Sequence, residues 1–177
     1  MATRIPHRGL PWWISAFLCG GAAVLVLHQG TLAALYLAGF TARPPYSLAP
    51  TAPWGVPQLW SLAFWGGVWG IVLAAALRRL TGGGLVFASL VFGAIFPTLV
   101  AWFIVAPLKG QPIAAGFVPA AMAIGPIVNA AWGLGTGVGL ALFGRADRRR
   151  RIADRRGPPE PVAGERRQIP DRRLAAG

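Results

Sequence analysis

The chain is made of long apolar runs separated by short polar or proline-rich segments. The first run, from Leu10 to Phe40, has no charged residue between Arg8 and Arg43. Each run is long enough to cross a bilayer, which needs about 20 apolar residues. We predict an all-α polytopic membrane protein. Its four-transmembrane-helix bundle has spans at about residues 12–37, 57–77, 85–105 and 117–143.

The segments between the runs carry residues that end helices. Residues 41–57 contain five prolines. Because proline lacks a backbone N–H, this segment is predicted to be an extended loop. Residues 81–84, Thr-Gly-Gly-Gly, predict a tight turn, and a short polar loop surrounds Lys109. No small-residue cleavage site ends the first run, so we interpret it as a retained span rather than a signal peptide.

Charge is scarce and concentrated at the carboxyl end. Only 12% of residues are charged, against about 25% in soluble domains, and no acidic residue precedes Asp147. A soluble domain is therefore excluded for residues 1–143. Residues 144–177 contain eleven arginines with several prolines and glycines. We predict a disordered, arginine-rich tail from this composition.

The basic residues predict the orientation of the chain. With four spans, Arg4, Arg8, the Arg78-Arg79 pair and the tail lie on one side, whereas Arg43 and Lys109 lie on the other. Positive residues favour the cytoplasmic side, so both termini are expected to be cytoplasmic in a bacterial inner membrane. This orientation explains the net charge of +12 more simply than nucleic-acid binding does. Anionic lipid headgroups are the expected partners of Arg78, Arg79, Arg148, Arg149, Arg150 and Arg151.

Several polar side chains lie inside the predicted spans, and the first pair is His28-Gln29. Polar residues at membrane depth usually face protein or water. Pro97 and Pro126 add backbone irregularities at similar depth, because each removes a helical hydrogen bond. One interpretation is a small polar cavity that opens outward. Its residues are His28, Gln29, Thr31, Ser61, Thr98 and Asn129. The alternative is that these side chains only bond helices together.

The spans lack the residue types of a catalytic or metal site. They contain no Asp or Glu, so a Ser-His-Asp triad or a carboxylate pair has no acid. His28 without Cys, Asp or Glu partners provides too few metal ligands. We therefore expect no enzymatic activity, no metal and no cofactor.

Glycines form small-residue faces on two spans. Such faces allow helix backbones to approach closely. They occur at Gly66, Gly70, Gly133, Gly135, Gly137 and Gly139. We predict that these glycines pack helices together and that the protein associates through them, as a homodimer or with another membrane protein.

Three short stretches carry a resemblance to a known family. They are residues 43–47, Arg-Pro-Pro-Tyr-Ser, residues 55–57, Gly-Val-Pro, and residues 64–70, Phe-Trp-Gly-Gly-Val-Trp-Gly. Together with residues 28–30, His-Gln-Gly, they resemble small bacterial inner-membrane proteins of uncharacterised function. The resemblance implies bacterial origin and a four-helix membrane fold, and it implies no activity.

Two functions fit these observations. The first is a structural or accessory membrane protein that associates through its glycine faces. The second is a small transporter or channel that uses the polar cavity around His28, the histidine that could carry a proton there.

The predicted topology can be tested with reporter fusions that are active only outside the cytoplasm. Fusions after Pro50 or Lys109 should be active, whereas fusions after Arg79 or Gly177 should be inactive, because the basic segments remain in the cytoplasm. Activity of the Gly177 fusion would contradict the arrangement of four spans.

Overall fold

Four long helices make up most of the protein. The computed structural model describes residues 11–156, with side chains as far as Ala146. The helices are α1 (Trp12–Leu37), α2 (Gln58–Ala76), α3 (Gly82–Leu108) and α4 (Pro119–Arg156). All four are long and apolar enough to span a membrane, α4 over Pro119–Ala146. The predicted all-α fold with four membrane helices is confirmed.

The loops are short except for residues 41–57. Within this proline-rich loop, β1 (Pro50–Thr51) and β2 (Val56–Pro57) form a small antiparallel hairpin. Between α3 and α4, Ile113–Phe117 form a single tight turn in which Ala114, Ala115 and Gly116 have positive φ.

Helix α4 continues beyond the predicted start of the tail. It is helical at least as far as Arg156, whereas we predicted loss of structure from residue 144. The extension consists mainly of arginine and alanine, which are good helix formers, so the helix continues after the apolar run stops. Arg148, Arg149, Arg150 and Arg151 lie on this extension. The predicted disorder of residues 157–177 concerns positions outside those described.

Two of the helices contain a π-helical turn. In α1 it covers Val24–His28, and in α3 it covers Ala101–Val105. The second turn begins four residues after Pro97, which lies inside α3. Pro107 follows the turn by two residues and leaves the carbonyl of Phe103, inside the turn, without its helical donor. Local π geometry is one way for a membrane helix to bond such freed groups again.

Helices α1 and α2 meet through glycine. A β-carbon at Gly20 of α1 would lie 3.0 Å from the Cα atom of Gly70 and would collide with the carbonyl oxygen of Gly66. Both contacts are with backbone atoms of α2, which cannot move without moving the helix. Only glycine therefore allows this approach.

The glycine series of α4 divides between two neighbouring helices. A β-carbon at Gly133 would lie 3.1 Å from the Cα atom of Gly93 in α3. A β-carbon at Gly139 would lie 2.8 Å from the Sγ atom of Cys19 in α1. Gly137 faces α3 like Gly133, and Gly135 faces α1 like Gly139. Two GxxxG faces, offset by two residues, thus hold α4 between α1 and α3.

The contact between α2 and α3 differs because large side chains fill it. The rings of Trp69 and Phe92 pack edge to face with their centroids 6.1 Å apart. Phe92 also belongs to the buried core, which comprises Ala23, Val24, Leu73, Phe92 and Trp132. Three sides of the bundle are therefore closed by glycine contacts and the fourth by aromatic rings.

We predict that Gly133→Ala destabilises the protein by about 1–3 kcal/mol, because the added methyl group overpacks the α3–α4 contact. Gly30→Ala is the matched control, since no atom lies within 4 Å of a β-carbon at Gly30. Thermal or denaturant unfolding of the detergent-solubilised variants measures both. Equal stability of Gly133→Ala and the parent would show that α3 and α4 are not in close contact.

Candidate functional site

The proline-rich loop is hydrogen-bonded to a buried amide of α1. Gln29 directly follows the π-helical turn Val24–His28 and is 2% exposed. Its Oε1 atom accepts a hydrogen bond of 2.8 Å from the backbone N–H of Tyr46. A buried amide without a partner would be unfavourable, so this bond holds the loop against the helix.

Tyr46 makes a second bond to the same helix. Its hydroxyl donates to the carbonyl oxygen of Leu25, inside the π-helical turn, over 3.1 Å. The backbone of Tyr46 has φ of 53°, which is uncommon for a residue with a side chain. At the other end of the loop, the N–H groups of Gln58 and Leu59 donate to the carbonyl oxygens of Ala49 and Ser47, both over 3.0 Å. The loop is thus fixed to both α1 and α2.

His28 is the last residue of the π-helical turn. It is half-buried, and its Nδ1 atom is buried without a hydrogen-bond partner among residues 11–156. A neutral imidazole has one donor nitrogen and one acceptor nitrogen. One hydrogen-bonding position of the ring is therefore unused within the described residues.

Thr98 and Asn129 form a separate polar pair. The Nδ2 atom of Asn129 in α4 donates to the Oγ1 atom of Thr98 in α3 over 2.9 Å. Thr98 is 2% exposed, so the pair lies within the α3–α4 contact.

The six residues predicted to line one cavity fall into separate places. His28 and Gln29 lie beneath the loop, and Thr98 and Asn129 lie between α3 and α4. Thr31 and Ser61 are half-buried on α1 and α2 and take part in neither arrangement. No hydrogen bond in the described part of the chain joins the two arrangements. The bonded residues Gln29, Thr98 and Asn129 therefore act in local pairs rather than in one shared network.

The most central polar contact involves residues that the sequence did not single out. The Nε1 atom of Trp132 donates to the carbonyl oxygen of Gly20 over 2.9 Å, and Trp132 is 2% exposed. A tryptophan in the middle of a predicted span is the signal for such a bond, because a buried indole N–H usually finds a partner.

The remaining predicted residues lie at the helix ends or in helix contacts. Arg78 and Arg79 are exposed in the turn between α2 and α3. Gly66 and Gly70 face α1, as described above. Within residues 11–156, no three His, Cys, Asp or Glu residues lie close enough together to hold a metal ion.

Comparisons of the chain with protein-family models, with curated proteins and with solved structures gave no match.

We predict that Tyr46→Phe and Gln29→Leu accelerate backbone hydrogen exchange in residues 41–57, because each removes one bond between the loop and α1. A single intramolecular hydrogen bond contributes about 0.5–1.5 kcal/mol, so each variant should exchange several-fold faster than the parent. Tyr36→Phe is the matched control, since Tyr36 is similarly exposed, 43% against 46% for Tyr46. Unchanged exchange in both loop variants would show that these bonds do not fix the loop.

Proposed function

We propose that this chain is a non-enzymatic accessory protein of a bacterial inner membrane, with both termini in the cytoplasm. In this proposal the four helices are a rigid support, and loop 41–57 is the element presented to a partner on the outer side. The observation that carries the proposal is the attachment of the loop to buried Gln29. This bond and that of the Tyr46 hydroxyl to Leu25 hold the loop in one conformation against α1.

The bonding of three other buried polar side chains supports a structural role for the bundle. The hydroxyl groups of Ser89 and Thr136 donate to the carbonyl oxygens of Leu85 and Trp132 in their own helices. Thr98 is bonded to Asn129. These groups are satisfied inside the protein, so they are not free to bind a solute as it passes.

The glycine faces do not provide a surface for association. We predicted that the protein associates through them, but the neighbouring helices of the same chain occupy all six positions. A backbone that already contacts another helix cannot also contact a second protein. We therefore assign partner contact to the loop, where Trp54 is 86% exposed and Leu48 is 62% exposed.

Site-specific photocrosslinking in intact cells tests this proposal. A photoreactive phenylalanine analogue at Trp54 should give a discrete protein adduct. The same analogue at Phe87, which is 70% exposed on α3, should react only with lipid. The Trp54 adduct should also weaken in a Gln29→Leu background, since the loop is then no longer held in one conformation.

Two results would contradict the accessory role. One is the same set of adducts from Trp54 and Phe87. The other is a Trp54 adduct that does not change when Gln29 is replaced.

A small transporter or channel is the second candidate. The observation that favours it is the buried, unpaired Nδ1 atom of His28, next to a backbone turn of a type often found at functional sites. In this case His28 would face water that enters from outside.

Cysteine labelling distinguishes the two candidates. In a Cys19→Ala background, Trp54→Cys should react rapidly with a membrane-impermeant thiol reagent added outside the cell, because Trp54 is exposed. The accessory role predicts that His28→Cys remains unlabelled in the same cells. Labelling of His28→Cys at a rate close to that of Trp54→Cys would favour the transporter.

A further inference from the structure

A groove lies between α3 and α4 at the end of the bundle that carries Arg145. It has a volume of about 430 Å³, within the range of about 300–1,000 Å³ that is usual for ligand sites. Its walls are apolar and come from both helices. They include Val86, Phe87 and Leu90 of α3 and Leu134, Val138 and Leu142 of α4.

The sequence explains why the groove is open at this end. The backbones of α3 and α4 are close at Gly137, where a β-carbon would lie 3.1 Å from the Cα atom of Val86. The larger side chains beside this contact stand apart and form the walls. Gly82 and Gly83 line the mouth, and because they lack side chains they do not cover it.

The mouth and the walls differ in chemistry. Arg145 lies at the mouth, where the membrane-spanning part of α4 ends. From Gly82 to Leu90 the groove runs along α3 for about 12 Å, at 1.5 Å per residue. One leaflet contributes about 15 Å of the roughly 30 Å hydrocarbon core. The groove therefore matches an acyl chain in length, and its mouth lies at the level of the lipid headgroups.

We propose that this groove binds one acyl chain of an anionic phospholipid, with the lipid phosphate paired to Arg145. Charge complementarity at the mouth selects the anionic headgroup, and the apolar walls take the chain. The uncapped first turn of α3, which begins at Gly82 without a side-chain bond from Thr81, adds partial positive charge at the same level. This site is independent of loop 41–57 and does not rest on the proposed function.

Native mass spectrometry of the full detergent-solubilised chain tests the proposal. The protein is titrated with dioleoyl phosphatidylglycerol and, separately, with dioleoyl phosphatidylcholine. We expect tighter binding of phosphatidylglycerol. Arg145→Gln should reduce that affinity about fivefold, the factor for about 1 kcal/mol per basic residue at an anionic surface. Soluble glycerol phosphate should not compete, because it lacks the chain.

Two matched controls distinguish binding in the groove from the effects of net charge and of added side-chain volume. Val138→Trp should fill the groove and weaken binding of both lipids. Val72→Trp places the same bulk on α2 at similar exposure, 45% against 41% for Val138, and should bind like the parent. Arg43→Gln removes one positive charge at the opposite end of the bundle and should also bind like the parent.

Three results would overturn the proposal. Equal losses in Arg145→Gln and Arg43→Gln would mean that net charge alone attracts the lipid. Unchanged binding in Val138→Trp would place the lipid elsewhere. A dimer that Val138→Trp dissociates, with lipid binding unaffected, would show that a second copy of the chain occupies the groove.

Discussion

The bundle depends on the contact at Gly20, whose backbone meets Gly66 and Gly70 of α2 and whose carbonyl oxygen accepts a hydrogen bond from the Trp132 indole. No water is present in the hydrocarbon core to accept from a buried N–H, so the indole must find an acceptor on another helix. It reaches the α1 backbone at Gly20, where that backbone also touches Gly66 and Gly70 of α2. Three helices therefore meet at Gly20, where the Trp132 indole and the Val24 side chain both pack against Gly66. The position of α3 is then determined by the glycine face of α4 that contacts it, Gly133 and Gly137.

This contact connects the core with loop 41–57 through α1. The π-helical turn of α1 begins at Val24, one helical turn after Gly20, and ends at His28. Gln29 comes next and bonds to the loop. One helix thus links the three-helix contact, the irregular turn and the loop, and whatever moves α1 also moves Tyr46. The loop therefore has the conformation that the bundle imposes, which is why we regard it as the presented element.

The spans could be predicted because a long apolar run without charged residues has few stable structures other than a membrane helix. The helix that each glycine contacts could not be predicted, since a face of small residues does not specify which helix packs against it. Gly20 was not predicted as a contact residue because the small residue four positions before it is Ala16, so the pair is not a GxxxG pattern. The single polar cavity was inferred from depth alone. A π-helical turn shifts the residues after it by about 100° around the helix axis, the angle per residue at 3.6 residues per turn. The direction of Gln29 could not be obtained from an ideal helix.

The most direct test of this account compares the stability of Gly20→Ala with that of Gly21→Ala. A β-carbon at Gly20 would meet the backbone of Gly66 and Gly70, whereas one at Gly21 would only approach the Ala63 carbonyl oxygen at 3.3 Å. We predict that Gly20→Ala lowers the free energy of unfolding by about 1–3 kcal/mol. Gly21→Ala should change it little, because the better helix propensity of alanine, about 1 kcal/mol over glycine, offsets mild crowding. Equal unfolding free energies for the two variants would contradict the account.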